Sequence, residues 1–302
     1  MKPPQNATWI VIPTYNRRPE LLECLETVFV LEGGPYPVVI IDNGSTDDTT
    51  EQVEARFPSC HIIKLSENQG ASQAANMGFE YALAHGAERV LRLDSDTVVA
   101  PDFLLQLANE QRQNPKTGIL TGKIFYHAQP EKIWSLGACK KRWDLGAVEF
   151  ARNQKDSSNY AKPIEVDFAW ATGMLLTKEL LEATGGFDPA FFVYYEEADL
   201  CLRAKKLGFS IRSVPAARMW HKIGQTARSH WIARNWSRSK MIYFRKHSTS
   251  WHRFFLIIYA YVYAVVHAIK RTKQGGNRGP LLSAIRGLNE GLAYPIHPNQ
   301  GA

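Results

Sequence analysis

The sequence predicts an α/β fold on a largely parallel sheet, and three observations carry the prediction. Four short apolar runs, at 8–12, 37–41, 61–65 and 89–93, have the length and composition of strands buried on both faces. Segments with apolar residues at helical spacing lie between them, and each run ends in a polar turn. Strands alternating with helices give parallel sheets, and loops at the carboxyl ends of such strands form the ligand crevice.

Taken in order, the first run breaks at Pro13. Thr14, Tyr15, Asn16 and Arg17 then form a polar loop before Leu21, Leu22, Leu25, Val28 and Phe29 recur at helical spacing. The second run leads into Asp42-Asn43-Gly44-Ser45-Thr46-Asp47-Asp48, where Asn and Gly permit a tight turn and Asp or Ser caps the next helix. The third leads into Ser66-Glu67-Asn68-Gln69-Gly70, and an Ala-rich helix is predicted from 71 to 85 with Gly86 as its stop. The fourth run ends at Asp94-Ser95-Asp96.

Residues two apart on an extended chain share a face, so Asp94 and Asp96 address one object. Two close carboxylates repel unless something positive lies between them. Hard oxygen ligands suit Mg²⁺ or Mn²⁺ carrying a diphosphate, although the same residues also serve as an ordinary turn. Neither Gly-x-x-x-x-Gly-Lys-Ser/Thr nor Gly-x-Gly-x-x-Gly follows the first strand, which argues against a P-loop enzyme and a dinucleotide oxidoreductase. A nucleotide held through a metal fits better, with Asp42, Asn43 and Asn68 reading a base edge or ribose hydroxyls.

The chain of 302 residues is long enough for one large domain, or one domain with an appendage, and its 45% hydrophobic and 22% charged residues are ordinary globular composition. The net charge of +7 is unevenly placed: from Arg218 onward fourteen Lys and Arg face Glu290 as the only acid. Such polarisation predicts a polyanionic partner for the last third. The four cysteines, Cys24, Cys60, Cys139 and Cys201, form no Cys-x-x-Cys pair and read as reduced structural thiols. The opening residues hold no apolar signal-peptide core, so a cytoplasmic location is expected.

Several motifs in order now carry a resemblance. Val11-Ile12-Pro13-Thr14-Tyr15-Asn16-Arg17, Ile41-Asp42-Asn43-Gly44-Ser45-Thr46-Asp47, Glu67-Asn68-Gln69-Gly70, Ala74-Ala75-Asn76-Met77-Gly78 and Leu93-Asp94-Ser95-Asp96 resemble family 2 of the inverting glycosyltransferases, with the GT-A fold. Downstream, Ala171-Thr172-Gly173-Met174-Leu175-Leu176, Gly185-Gly186-Phe187-Asp188-Pro189-Ala190-Phe191-Phe192 and Tyr195-Glu196-Glu197-Ala198-Asp199-Leu200-Cys201-Leu202-Arg203 resemble its rhamnosyltransferase-like branch. The likeness covers residues 8–247 and implies transfer of a sugar from a nucleoside diphosphate to an acceptor hydroxyl, with inversion.

By that resemblance Pro13, Thr14, Tyr15, Arg17, Asp42 and Asn43 line the nucleotide site, and Asn68, Gly70 and Asn76 shape its wall. Asp96 is the principal metal ligand, Asp94 lies nearer the ribose or sugar, and His221 closes the diphosphate site or ligates the metal. An inverting displacement needs a base for the acceptor hydroxyl. The family usually has Glu-Asp at the position occupied here by Glu196-Glu197, so Glu197 is the expected base, with Glu196 or Asp199 orienting the site. A plain acidic helix start, with Asp199 and Arg203 paired at i,i+4, accounts for part of this cluster. Trp170 and Gly173 are expected against donor sugar or acceptor, and the aromatic run 191–195 serves either as a sugar platform or as core. Residues 122–162 depart from the family pattern, and residues 140–143 are expected to form a loop or hairpin facing acceptor.

The expected division is therefore a GT-A domain over 1–247, with a nucleotide-sugar half at 8–100 and an acceptor half at 101–247, followed by a basic aromatic helical tail at 248–302. Residues 254–266 are apolar and Tyr-rich, with basic residues on both flanks. This span falls short of the ~20 residues needed to cross a bilayer. An interfacial helix on the inner face of the plasma membrane is expected, against packing on the catalytic domain as the alternative. Expected partners are a UDP- or dTDP-sugar, a glycan or lipid-linked acceptor and an anionic membrane surface, with no nucleic acid. Rival readings are a nucleotidyltransferase, which should carry a basic Gly-rich triphosphate loop, and a non-catalytic glycan-binding module, which has no need of Asp96 or the acidic pair.

Overall fold

A computed structural model describes residues 7–141, 143, 145–223, 229–273 and 279–296. Arg142 of the expected hairpin and the helix-breaking Gly275-Gly276-Asn277 lie outside the described residues. The first half alternates as predicted: β1 (Thr8–Thr14), α1 (Arg18–Val28), β2 (Val38–Asp42), α2 (Thr49–Arg56), β3 (His61–Lys64), α3 (Ala71–Ala84) and β4 (Arg89–Leu93). A short β5 (Thr97–Val99), α4 (Phe103–Gln113), β6 (Thr117–Tyr126), β7 (Gln129–Ser135) and the hairpin β8 (Ala138–Lys140) and β9 (Ala147–Glu149) follow. Then come β10 (Ile164–Glu165), β11 (Gly173–Thr177), α5 (Lys178–Thr184), α6 (Glu196–Lys206) and β12 (Ser210–His221). Three helices close the chain: α7 (Ser229–His247), α8 (Ser250–Lys273) and α9 (Gly279–Ala293).

The ten-stranded sheet runs β10-β12-β6-β11-β4-β1-β2-β3, with β5 paired to β12 and β7 to β6. Strands β3, β2, β1 and β4 are mutually parallel, as the pattern predicts. The acceptor half is mixed, because β11 enters antiparallel between β4 and β6. Side-chain alternation explains why the first strands read as unbroken apolar runs. Ile10, Ile12, Val38 and Ile40 join Leu21, Leu25 and Phe103 in a core on one face, while Val11, Val39 and Ile41 join Ala74, Phe79 and Leu200 on the other.

The second core extends into the C-terminal helices through Met241, Tyr243, Leu256, Ala260 and Leu288. Helix α9 lies against α7 so closely that a Cβ at Gly287 or Gly291 would collide with the carbonyl of Arg234 or Arg238. Arg234 pairs with Glu290 at 2.8 Å, and Arg245 donates to the Gly291 and Tyr294 carbonyls at 2.8 and 2.7 Å. The last helices are thus docked on the preceding residues through a shared core. No helix among the described residues is long and apolar enough to cross a membrane.

Candidate active site

The carboxyl ends of β1, β2, β3 and β4 open into one crevice. The Asn43 N–H donates to the Thr14 carbonyl at 2.9 Å, joining the first two loops. Asn43 then ties in the third: its Nδ2 donates to Asn68 Oδ1 and to the Gly70 carbonyl, both at 3.1 Å, and its Oδ1 accepts from the Gln69 N–H at 2.8 Å. Asp42 is buried, with its two oxygens accepting from the Ser45 N–H at 2.9 Å and from Thr50 Oγ1 at 2.6 Å. Asp42 and Asn43 therefore hold the loops in shape first, and a base edge would meet only the remaining lone pairs of Asp42. Gly70 has φ +88°, and a Cβ there would strike Phe192, so the α3 entry requires glycine. β1 does not break at Pro13 as expected but pairs with β2 through Pro13 and Thr14, because Pro13 keeps an extended φ, and Tyr15 just beyond it is 44% exposed.

Asp94, Asp96 and His221 come together at the crevice floor, their ligand atoms all within 4.8 Å of one another. His221 arrives from the end of β12, paired with Thr97 of β5, and its Nε2 lies 3.2 Å from Asp96 and 4.0 Å from Asp94. Arg17 reaches Asp96 at 4.0 Å from the α1 entry. Two carboxylates and an imidazole within this span are a fitting donor set for Mg²⁺ or Mn²⁺.

Beneath the triad, Arg92 is 4% exposed and gives Nη1 to Asp94 at 2.5 Å and to the Ala171 carbonyl at 2.7 Å. Burial opposes the charge on Asp94, but Arg92 and His221 overcome it and hold that carboxyl below its usual range. Burial likewise opposes the charge on His221, and its bond to Asp96 together with the charge of Asp94 raises it above the usual value. Arg92 was not among the sequence-predicted site residues. Its signal is a cation between two leucines of β4, two residues before Asp94 and hence on the same face.

Glu196 and Glu197 begin α6, close enough to Arg92 and Asp94 for their charges to be felt. Each has one carboxylate oxygen buried with no partner among the described residues. Burial drives both upward, Glu197 to about 7 and Glu196 well above its ordinary value, with the adjacent Glu197 charge adding to the rise of Glu196. Tyr194 and Tyr195 enter the helix in the left-handed region, at φ 68° and 70°. Such backbone costs about 1–2 kcal/mol per residue and persists only where neighbours over-determine it. Here α7 does so: Arg238 donates to the Ala190 carbonyl at 2.9 Å and Ser239 to the Val193 carbonyl at 2.8 Å. Glu197 lines a cavity of about 190 Å³ with Trp170, Tyr194, Tyr195, Trp236 and Tyr243. Phe191 of the aromatic run is core, whereas the two tyrosines face this cavity.

The family model "Glycosyl transferase family 2" matches residues 9–185, more than half of the chain. The chain belongs to this family. Relatives include a dTDP-rhamnosyl transferase of Shigella flexneri, 27% identical over 72% of this chain and 69% of that protein. An N-acetylglucosaminyl-diphospho-decaprenol L-rhamnosyltransferase of Mycobacterium tuberculosis is 24% identical over 81% of this chain and 86% of its own length. Among solved structures, a mannosyltransferase of Pyrobaculum calidifontis in complex with GDP-Man and Mn²⁺ superposes with TM-score 0.58 at 18% identity, covering 97% of this chain and 76% of that one. GalNAc-T7 with UDP, GalNAc and Mn²⁺ gives TM-score 0.60 at 14% identity over 78% of this chain, which spans only 47% of GalNAc-T7. The fold is GT-A.

In this glycosyltransferase three predicted contact residues lie elsewhere. Asn76 is buried and exchanges hydrogen bonds with the Phe187 backbone, its Nδ2 to the carbonyl at 2.7 Å and its Oδ1 from the N–H at 2.9 Å, so it pins the turn before α6 rather than the nucleotide. Gly173 is buried in β11, its Cβ position filled by Met219 and Phe103, so its small size serves strand packing. Asp199 is 0% exposed and meets Arg203 at 2.7 Å, Lys246 at 2.8 Å and His247 at 2.7 Å, leaving it nothing to offer a sugar. These contacts weld α6 to α7, and against the pull of burial they hold the Asp199 carboxyl well below its ordinary value. Asp199→Ala takes the carboxylate partner from buried Arg203 and His247, Lys246 keeping Asp188 at 2.5 Å, and is expected to cost about 3–5 kcal/mol in denaturant unfolding. A loss under about 1 kcal/mol would remove the weld from the account.

Proposed function

We propose that this enzyme transfers a sugar from a UDP- or dTDP-sugar to an acceptor hydroxyl with inversion, in the synthesis of a bacterial surface glycan. The observation that carries the reading is the pairing of the Asp94–Asp96–His221 triad with a buried carboxylate whose charge is suppressed. Glu197, on the cavity, takes the proton of the attacking hydroxyl. The new glycosidic C–O bond forms as the anomeric carbon–diphosphate bond breaks on the opposite side, and Arg17 faces the charge that develops on the departing oxygen. Asp94, Asp96 and His221 would hold the Mg²⁺ or Mn²⁺ that neutralises the diphosphate. The dTDP-rhamnosyl transferase and the decaprenol-linked relative favour dTDP-rhamnose as donor and a lipid-linked acceptor. Purified protein with Mn²⁺ and a panel of UDP-, dTDP- and GDP-sugars tests the donor: one nucleotide class should raise the melting temperature in a metal-dependent way. A folded sample that responds to none would remove the donor site.

We further propose that the enzyme works on the inner face of the plasma membrane. Trp251, Phe254, Phe255, Ile258, Val262, Val266 and Ile269 form an exposed stripe along α8 at three- and four-residue spacing, Trp251 being 81% exposed, while Leu256 and Ala260 on the opposite side are buried. The helix has no acidic residue and belongs to the basic third of the chain. An aromatic and aliphatic face bordered by cations complements an anionic lipid surface. Replacing Phe254, Phe255 and Ile258 together by Ser should weaken binding to phosphatidylglycerol vesicles about 10²-fold or more, since each loses ~1.5 kcal/mol or more of burial, without disturbing the fold. Unchanged co-sedimentation would dismiss the lipid face.

A further inference from the structure

Two tryptophans span the gap between the triad and Glu197. The Trp134 ring, on β7, lies 5.3 Å from the His221 imidazole in an edge-on contact and 5.5 Å from Trp170. Trp170 in turn lines the Glu197 cavity. Arg152 places its guanidinium 5.6 Å over the Trp134 ring and donates from Nη1 to Glu149 Oε1. Among the described residues, the buried Glu149 Oε2 and the buried Trp170 Nε1 have no hydrogen-bond partner. One is an acceptor and the other a donor, and such groups call for a hydrogen-bonding ligand. Burial also raises the Glu149 carboxyl in spite of the Arg152 beside it.

This inference rests on the glycosyl-transfer reading of the site. In a displacement the transferred ring must lie with its diphosphate at the triad and its anomeric carbon within reach of a hydroxyl held by Glu197. Trp134 adjoins the first and Trp170 the second. We propose that Trp134, Trp170, Glu149 and Arg152 form the shelf that selects the transferred sugar: the indoles take its apolar C–H face, Glu149 Oε2 accepts from a ring hydroxyl, and Trp170 Nε1 donates to another. Arg152 acts as a positioning residue that fixes the Trp134 plane and the Glu149 rotamer.

The test is titration, with Mn²⁺ present, of UDP, dTDP, dTDP-glucose and dTDP-rhamnose, followed by intrinsic tryptophan fluorescence. In the unmodified protein a nucleotide-sugar should change the fluorescence beyond the free nucleotide, and one sugar should be preferred. Glu149→Gln and Arg152→Ala should keep free-nucleotide affinity within about twofold while reducing the preference between sugars about tenfold or more, because a site built to hydrogen-bond a hydroxyl discriminates through it. Trp134→Phe should abolish most of the sugar-specific fluorescence change. Free-nucleotide affinity serves as the folding control. Intact nucleotide binding with unaltered sugar preference in E149Q and R152A, or no sugar preference in the unmodified protein, overturns the shelf alone. An unmodified protein that binds no nucleotide overturns the donor reading and the shelf with it.

Discussion

Glu197→Gln is expected to reduce transfer about 10²–10⁴-fold, the usual range for a positioned general base, while nucleotide-sugar affinity stays near that of the unmodified enzyme. The amide keeps the shape of the side chain on the cavity wall but cannot accept the proton. With the carboxyl pushed up to about 7 by burial, the base form gains population as pH rises. The rate should therefore climb through pH 7 and level above it, and at pH 6 it should be roughly tenfold below the plateau. The sign for stability is opposite: the folded state binds its proton more tightly than the unfolded chain, so Glu197 disfavours the folded state as pH rises from about 4.5 toward 7. Rate–pH profiles of both proteins decide the matter. Full activity in E197Q, or an acid limb that survives in whatever activity remains, would transfer the role to Glu196.

Asp96→Asn should be as damaging by a different route. It removes one anionic ligand from the triad and leaves His221 without its 3.2 Å partner. Loss of charge neutralisation at the diphosphate is expected to lower the rate about 10³-fold or more, ~4 kcal/mol of barrier, and to abolish the metal dependence of nucleotide-induced thermal stabilisation. Asp94→Asn is the informative contrast. Asp94 is the 2.5 Å partner of buried Arg92, so its loss should also lower the melting point without any ligand, which D96N should not. If D96N retains a metal-dependent shift of normal size, the triad is not the cation site.

Why some of this was legible in the sequence is a matter of distance along the chain. Parallel strands buried on both faces read as apolar runs, and a two-residue carboxylate spacing at a strand end survives in the linear text, so β1 to β4 and the Asp94–Asp96 pair were visible. His221 was found through resemblance alone, since only strand pairing brings β12 beside β5. Asn76 and Asp199 misled because they stand among functional motifs. Their partners, the Phe187 backbone and Lys246–His247, come from remote segments, and the basic residues of α7 gave no hint that they neutralise a buried aspartate. Arg92 was hidden by its apolar neighbours. Trp134 lies next to the end of an edge strand, Glu149 ends a three-residue one and Arg152 lies in the turn that follows, so no periodic pattern joins them.

The close seat of α9 on α7 bears on how the protein is made. Ribosomal synthesis runs from the N-terminus, so the nucleotide half can assemble while the rest of the chain is still being extended. The strained turn at Tyr194 and Tyr195 is held by α7, and α7 is backed through Gly287 and Gly291 by the last described helix. The first four parallel strands are local in the chain, but the face that bears Val11, Val39 and Ile41 shares its core with Leu200, Met241 and Leu288, contacts between distant stretches of chain. A chain stopped before α9 is therefore expected to lack the backing of α7 that fixes the Tyr194–Tyr195 turn.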